Sequence, residues 1–91
     1  MTCRLVLPAQ LRDAAGGRGE IEGQGATLRA VLDDLAARLP GLERRLRDER
    51  DELRQHVLVF VDGVSVRGEA EQETPVPEGA EVFVAPAVSG G

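Results

Sequence analysis

The sequence predicts an α+β fold in which one main helix packs across one face of a mixed β-sheet. Short apolar segments typical of strands lie near the N-terminus, at residues 3–7, and in the second half of the chain, at residues 57–61 and 81–85. Between them, a single apolar stripe follows the helical repeat. Because 91 residues suffice for one domain with one modest core, we place a single domain at residues 1–86. The stripe consists of Leu28, Val31, Leu32, Leu35 and Leu39.

Two strands are predicted in the N-terminal quarter of the chain. Alternate residues of Cys3–Leu7 are apolar, which indicates a half-buried strand that ends at Pro8. Residues 13–25 contain five glycines around the alternation Glu20-Ile21-Glu22, which favours a loose hairpin with a short edge strand. The lysine that a phosphate-binding loop uses does not follow these glycines, so we interpret them as structural.

The helix has clear signals at both ends. Thr27 stands immediately before the apolar stripe and can cap the first turn with its hydroxyl, and Pro40-Gly41 ends the helix. Residues 42–53 are mainly arginine and acidic residues, with leucine only at positions 42, 46 and 53. We predict a solvated connector there, although the leucine spacing also permits a short surface helix.

The second half of the chain supplies the remaining strands. Val57–Val61 is rich in branched residues and ends at Asp62-Gly63, a strong turn signal, so it is predicted to be a central strand. A short return strand is expected at residues 64–67. After the turn-rich segment 75–79, residues 81–85 alternate again and form the last strand.

Composition disfavours several classes of function. No apolar stretch approaches the roughly 20 residues of a membrane span, and no signal peptide is evident, so we expect a cytoplasmic protein without membrane contact. A formal charge of −5 and only two aromatic residues disfavour nucleic acid as a partner. One cysteine cannot supply a disulfide framework or a thiolate cluster, so we predict no metal site. All eleven basic residues are arginine, and the chain has no lysine.

The residues that could serve catalysis form no recognisable motif. His56 precedes a strand, where we expect a solvated side chain, and Cys3 is expected to be a small core residue. Neither a Gly-x-x-x-x-Gly-Lys loop nor a His-Glu-x-x-His helix occurs. We therefore predict that the chain is not an enzyme.

The end of the chain has a different character. After Pro86 the residues lose bulk and finish at Gly90-Gly91. Five residues extend by at most about 17 Å, enough to carry the terminal carboxylate into a partner's active site while the domain stays outside. Without Cβ atoms, the glycines can pass a narrow channel and leave the carboxyl carbon open to attack. We predict that residues 87–91 form a flexible tail.

Together, these patterns resemble the ThiS/MoaD family of ubiquitin-like sulfur carriers over essentially the whole chain. The resemblance implies the β-grasp fold of ubiquitin. Within the family, segment 42–56 and the chain's ending are most similar to the carriers that supply sulfur for cysteine synthesis in actinobacteria. Besides the order of strands and helix, the resemblance rests on the helix opening Gly25-Ala26-Thr27-Leu28, the turn Pro77-Glu78-Gly79-Ala80-Glu81-Val82 and the ending Pro86-Ala87-Val88-Ser89-Gly90-Gly91.

The resemblance also implies a chemical role for the tail. An E1-like enzyme of the MoeB/ThiF type would use ATP and magnesium to adenylate the carboxylate of Gly91. A sulfur donor would displace AMP, and the thiocarboxylate would donate its sulfur to an acceptor synthase that makes cysteine or another sulfur-containing metabolite. Nucleotide and metal belong to the activating enzyme, so this chain is expected to bind no cofactor. A metalloprotease that releases the product is a further expected partner, and the free carrier is expected to be a monomer.

Partner recognition also needs a surface. In strands 57–61 and 81–85, successive side chains point to opposite faces, and both sets are apolar. If the valines line the core, the other set forms an apolar patch on the outer sheet face. Alternatively, residues 42–54 fold back over this patch. The predicted partner-binding residues are Leu58, Phe60 and Phe83, with Ala85 beside them, and the tail residues Ala87, Val88, Ser89 and Gly90.

Three other functions stay open from the sequence. The small subunit of molybdopterin synthase uses the same thiocarboxylate in a lasting complex, and the long connector argues mildly against it. A ubiquitin-like modifier would form an isopeptide bond from Gly91 to a target lysine, although a chain without lysine cannot build polymers through its own side chains. A plain binding module would end in two glycines by accident.

Overall fold

The computed structural model describes residues 1–66 and 70–86. The strands are β1 (Thr2–Val6), β2 (Glu20–Gln24), β3 (Val57–Val61), β4 (Val64–Ser65) and β5 (Glu81–Pro86), and the α-helices are α1 (Leu28–Arg38) and α2 (Pro40–Leu46). They form one sheet in the order β2-β1-β5-β3-β4. β1 and β5 are parallel and the other neighbours antiparallel, so the predicted α+β fold with a mixed sheet is confirmed.

One continuous core lies between α1 and one face of the sheet. Alternate residues of the strands enter it, and the apolar stripe of α1 fills it from the other side. Fully burying an aliphatic side chain contributes about 1.5–3 kcal/mol, so this layer provides most of the stability. Its central members are Leu5, Leu28, Val31, Leu32, Leu35, Val59, Val82 and Val84, and Leu39 is partly buried at its edge.

Both predicted ends of the main helix are confirmed. The Thr27 hydroxyl accepts a hydrogen bond from the backbone N–H of Ala30 at 3.2 Å, which satisfies a donor that the first turn leaves unpaired. The helix ends at Arg38. Pro40 occupies the first turn of α2, where its missing N–H costs nothing.

The prediction of a solvated connector after the main helix is wrong. Residues 40–46 form α2, whose Leu42 and Leu46 are 0% and 1% exposed. Four residues apart, they lie on one side of the helix and enter the core. The alternative of a helix was correct, but this helix contributes to the core and is not a purely surface element.

Burial of one side of α2 is possible because its buried Glu43 is neutralised by Arg47, the residue that follows the helix. Arg47 is only 2% exposed. Its guanidinium donates to Glu43 Oε2 at 2.8 Å, Asp33 Oδ1 at 2.9 Å and Gln72 Oε1 at 3.1 Å. Desolvation of the Arg47 guanidinium lowers its pKa, but the bonds to Asp33 and Glu43 outweigh that cost, so the net pKa is raised and the group stays charged. A segment that resembles a solvated surface in composition is therefore partly internal.

The region between β1 and β2 holds an element that the sequence pattern did not indicate. Ala9–Ala15 form a 3₁₀ helix that ends at Gly16, whose φ of 71° favours glycine. β2 follows as an edge strand paired with β1, as predicted. In β2, a Cβ atom on Gly23 would lie 2.5 Å from Cδ1 of Leu5. Gly16 and Gly23 thus have structural roles.

The last three strands follow their predictions closely. β3 has the predicted bounds, and Asp62 and Gly63 both have positive φ angles in the turn that follows it. β4 ends at Ser65, before the predicted limit at Arg67, which lies outside the described residues. β5 extends one residue further than predicted, to Pro86.

Candidate functional site

β5 carries the chain through the middle of the sheet to the start of the predicted tail. It lies between β1 and β3, and its last residue, Pro86, is paired with Val57. β1 pairs only with residues 81–83 of β5, but β3 pairs with this strand as far as Pro86, so the point from which the tail starts is fixed relative to the domain. The boundary at residue 86 and the roles of the tail stay predictions. The predicted site residues Ala87, Val88, Ser89, Gly90 and Gly91 lie outside the described residues.

The outer sheet face carries the apolar side chains that the alternation predicts. Phe60 and Phe83 face each other across β3 and β5, with ring centroids 6.1 Å apart and ring planes inclined by 54°. Leu58 and Ala85 form another cross-strand pair, nearer to the tail. Valines 59, 61, 82 and 84 are buried on the opposite face. The predicted strand faces are therefore correct.

The aromatic pair is only partly covered. Phe83 is 39% exposed, whereas Phe60, Leu58 and Ala85 are half-buried. A tilted aromatic pair in the middle of a sheet face offers a rigid apolar surface, and aromatic side chains are enriched among residues that dominate binding energy. The geometry suits a docking site, while binding itself stays a prediction.

β1 adds a residue that the sequence analysis missed. Val6 is half-buried and lies beside Phe83 in the parallel pairing of β1 with β5. Alternation within β1 already places Val6 on the face opposite Leu5, but the identity of the neighbouring strand depends on the topology. We define the outer-face patch as Val6, Leu58, Phe60, Phe83 and Ala85.

Charged residues border the outer-face patch at the end away from Pro86. Arg4 lies 3.6 Å from Glu20 and 3.8 Å from Glu81, and all three side chains are about half exposed. Exposed pairs of this kind contribute little to stability, but they give the patch a polar rim on one side. On the other side the patch continues to the start of the tail.

The alternative of a covered patch is wrong for most of segment 42–54. α2 packs against α1 and the 3₁₀ helix Ala9–Ala15, on the helical side of the sheet. Residues 53–55 line a depression together with Leu58, and Arg44, Arg45 and Arg54 line a cleft that reaches Ala85 at the edge of the patch. Phe83 stays exposed.

The other residues considered for chemistry have the predicted environments. Cys3 is 1% exposed, and burial raises the pKa of its thiol, which disfavours the reactive thiolate. His56 is exposed at the start of β3. Within residues 1–66 and 70–86, no three His, Cys, Asp or Glu side chains are grouped to hold a metal ion. Nor does any helix in this part of the chain have the length and apolar character needed to cross a membrane.

Known proteins are similar to this chain over almost its whole length, in sequence and in structure. The sulfur carrier protein CysO of Mycobacterium tuberculosis is 33% identical over 93 aligned residues that cover all of both chains. Its crystal structure superposes with a TM-score of 0.86 at 32% identity, over 94% of this chain and 99% of that one. CysO in the BexX/CysO complex of Amycolatopsis orientalis also gives a TM-score of 0.86 at 32% identity, over 98% and 99% of the two chains.

A modifier protein is similar as well. SAMP1 of Haloferax volcanii is 28% identical and superposes with a TM-score of 0.81 over the full length of both chains. The comparisons confirm the expected β-grasp fold and the expected likeness to CysO within the carriers. A sequence model of the ThiS family matches residues 5–91. The chain therefore belongs to the ThiS family.

Proposed function

We propose that this protein is a sulfur carrier whose Gly91 carboxylate is converted to a thiocarboxylate. The carboxylate attacks the α-phosphorus of ATP on an E1-like enzyme, pyrophosphate leaves, and an acyl-adenylate forms. A sulfur donor then attacks the carbonyl carbon and releases AMP. ATP and magnesium bind to the activating enzyme, and this chain contributes the carboxylate and the surface by which it is recognised.

The observation that carries this proposal is the extent of the family match. It includes the folded domain and continues through Gly91, so the two terminal glycines lie within the matched region. A match that reaches the last residue supports a role for this ending over an accidental one. The end of β5 supports the same proposal, because it presents the tail at one end of the sheet.

The acceptor is proposed to be a biosynthetic enzyme that binds both the tail and the domain. A CysO from Amycolatopsis orientalis forms a complex with BexX. For this chain we propose that the outer-face patch docks on an acceptor synthase of cysteine or of another sulfur-containing metabolite. Docking through the domain would position the tail in the acceptor's active site.

Intact mass spectrometry tests the proposed reaction. After incubation with an E1-like enzyme, ATP and sulfide, we expect the mass to rise by the difference between sulfur and oxygen. Deleting Gly91 moves the carboxylate back by about 3.5 Å. Since near-attack geometry tolerates about 1 Å, adenylation should fall by orders of magnitude while the thermal unfolding midpoint stays unchanged. Thiocarboxylate formation at the wild-type rate by the shortened chain would refute the mechanism.

A second candidate function is protein modification, which the similarity to SAMP1 favours. SAMP1 of Methanosarcina acetivorans, a small archaeal modifier protein, is also 28% identical and has a TM-score of 0.82. In this case the activated Gly91 would be attacked by the amine of a target lysine. The same mass measurement in a cell extract distinguishes the two functions, because a conjugate adds the mass of a whole protein.

A further inference from the structure

A cleft of about 300 Å³ lies beside the point where β5 ends. Pro86 forms part of its wall. Leu11 of the 3₁₀ helix and Val57 of β3 also line it, and both pack against the hydrophobic core. The cleft is thus an apolar depression at the start of the tail. It shares only Ala85 with the outer-face patch.

The rim of this cleft is basic in a protein of formal charge −5. Four side chains with basic nitrogen atoms line it, and no Asp or Glu does. Arg45 is engaged, since it donates to Asp13 at 3.1 Å and to the Gln10 carbonyl at 2.8 Å. The side chain of Arg44 has no ion pair or hydrogen bond with any described residue and is available to a ligand. The four basic side chains are Arg44, Arg45, Arg54 and His56.

The position of the cleft determines which molecules can meet it. Gly91 is the fifth residue after Pro86, and five residues span at most about 17 Å. A protein that receives Gly91 in its active site must therefore come close to Pro86. Any such protein would face the cleft. Its contacting surface would have to be complementary to the apolar walls and the positively charged rim of the cleft.

We propose that the cleft binds an acidic segment of the enzyme that activates the tail, in which carboxylates flank an apolar side chain. The apolar side chain would fill the depression, and the carboxylates would pair with Arg44 and its neighbours. Guanidinium groups match carboxylates with two parallel hydrogen bonds. The proposal rests on the proposed carrier function and adds the charge character of the partner.

Charge reversal at Arg44 tests the proposal. Binding of the full-length protein to an E1-like enzyme of the MoeB/ThiF type is titrated without ATP, so that no chemistry is needed. We expect Arg44→Glu to raise Kd about tenfold, and we expect the wild-type Kd to be much more sensitive to salt than the variant's between about 50 and 300 mM NaCl. In the adenylation assay, KM should rise while kcat stays unchanged.

Arg18→Glu is the matched control. Arg18 is exposed, lies outside the cleft, and its reversal changes the net charge by the same amount. Equal effects of the two variants would show a general charge effect and overturn the proposal. Tighter binding by Arg44→Glu would indicate that the protein's own tail occupies the cleft, and loss of self-association by this variant would indicate a second copy; either result would also overturn it.

The binding titration separates this proposal from the carrier function. If wild-type protein binds the enzyme in an Arg44-dependent manner but never forms the adenylate, the docking proposal stands and the carrier function fails. If the adenylate forms but Arg44→Glu changes neither Kd nor KM, the carrier function stands and the docking proposal fails.

Discussion

The two sides of the sheet have different surroundings. On the side covered by α1 and α2, the apolar side chains are enclosed, and even the buried Arg47 has three acceptors. No buried side-chain nitrogen or oxygen of the described residues lacks a hydrogen-bond partner. On the open side, an aromatic pair remains partly exposed. The covered side therefore determines stability, whereas the open side can change with little effect on folding and is available for recognition.

Neighbouring residues of β3 give the most direct test of this difference. Val59→Asp should reduce the free energy of unfolding by more than about 4 kcal/mol, because it places an unpaired carboxylate in the core. Phe60→Asp should reduce it much less, by about 1–2 kcal/mol, since Phe60 is only half-buried on the open side and loses chiefly its pairing with Phe83. Urea unfolding followed by circular dichroism measures both. If Phe60→Asp unfolds the protein and Val59→Asp does not, the assignment of the faces is reversed.

The buried charge network on the covered side predicts the next largest effect. Arg47→Ala should destabilise the protein by about 3–5 kcal/mol, because it leaves the buried Glu43 without its partner. Arg44→Ala, three residues earlier in α2 but exposed, should change stability by no more than about 0.5 kcal/mol. Equal unfolding midpoints in urea for the two variants would contradict a structural role for the network.

Substitutions on the open side of the sheet should weaken binding to a partner more than they reduce the stability of the fold. Phe60→Asp should weaken binding to the activating or acceptor enzyme by about 2 kcal/mol, because interface aromatics contribute energies of that size. Val64→Asp is a control, since Val64 is 69% exposed on β4 and lies outside the outer-face patch. Isothermal titration calorimetry gives both affinities. An unchanged affinity for Phe60→Asp would remove the patch from the interface.

A surface ion pair on the covered side predicts the smallest effect. Asp34 accepts a hydrogen bond from Arg38 at 2.6 Å, and this bond holds the pKa of the Asp34 carboxyl below its ordinary value. Asp34→Asn should cost about 0.5 kcal/mol at pH 7.

The pH dependence of this loss has a definite sign. A carboxyl whose pKa is depressed in the folded state stabilises the protein above its unfolded pKa of about 3.9, and the stabilisation disappears as the pH falls through the lower folded value. The difference between wild type and Asp34→Asn should therefore shrink below about pH 4. Urea unfolding at several pH values measures it, and a difference that grows on acidification would contradict the assignment.

The periodicity of apolar residues along the chain predicted which side chains of a strand or helix face the core. The alternation in Val57–Val61 separated Val59 from Phe60 correctly, and the helical stripe identified the buried face of α1. The burial of Arg47 could not be predicted in this way, because its acceptors come from residues 33, 43 and 72. Composition describes how polar a segment is, but not whether distant residues can neutralise it.

For the candidate site too, the sequence predicted which face of a strand a residue lies on, but not which strands are neighbours. Phe60 and Phe83 could be assigned to the open side from alternation alone. Val6 could not, because its contact with Phe83 requires the parallel pairing of β1 with β5. The basic cleft also depends on topology, since it combines residues from the 3₁₀ helix Ala9–Ala15, α2, the loop before β3, and β5.

The parallel pairing of β1 and β5 also governs how the protein can be handled experimentally. Because the two strands run in the same direction, Thr2 and Pro86 lie at opposite ends of the sheet. A fusion partner or an affinity tag placed before Thr2 would stand at the far end from the start of the tail. Since the sequence has no lysine, amine-directed coupling cannot attach a dye or a solid support to any side chain of the domain. Immobilised through its N-terminus, the protein would present its tail end to an enzyme in solution.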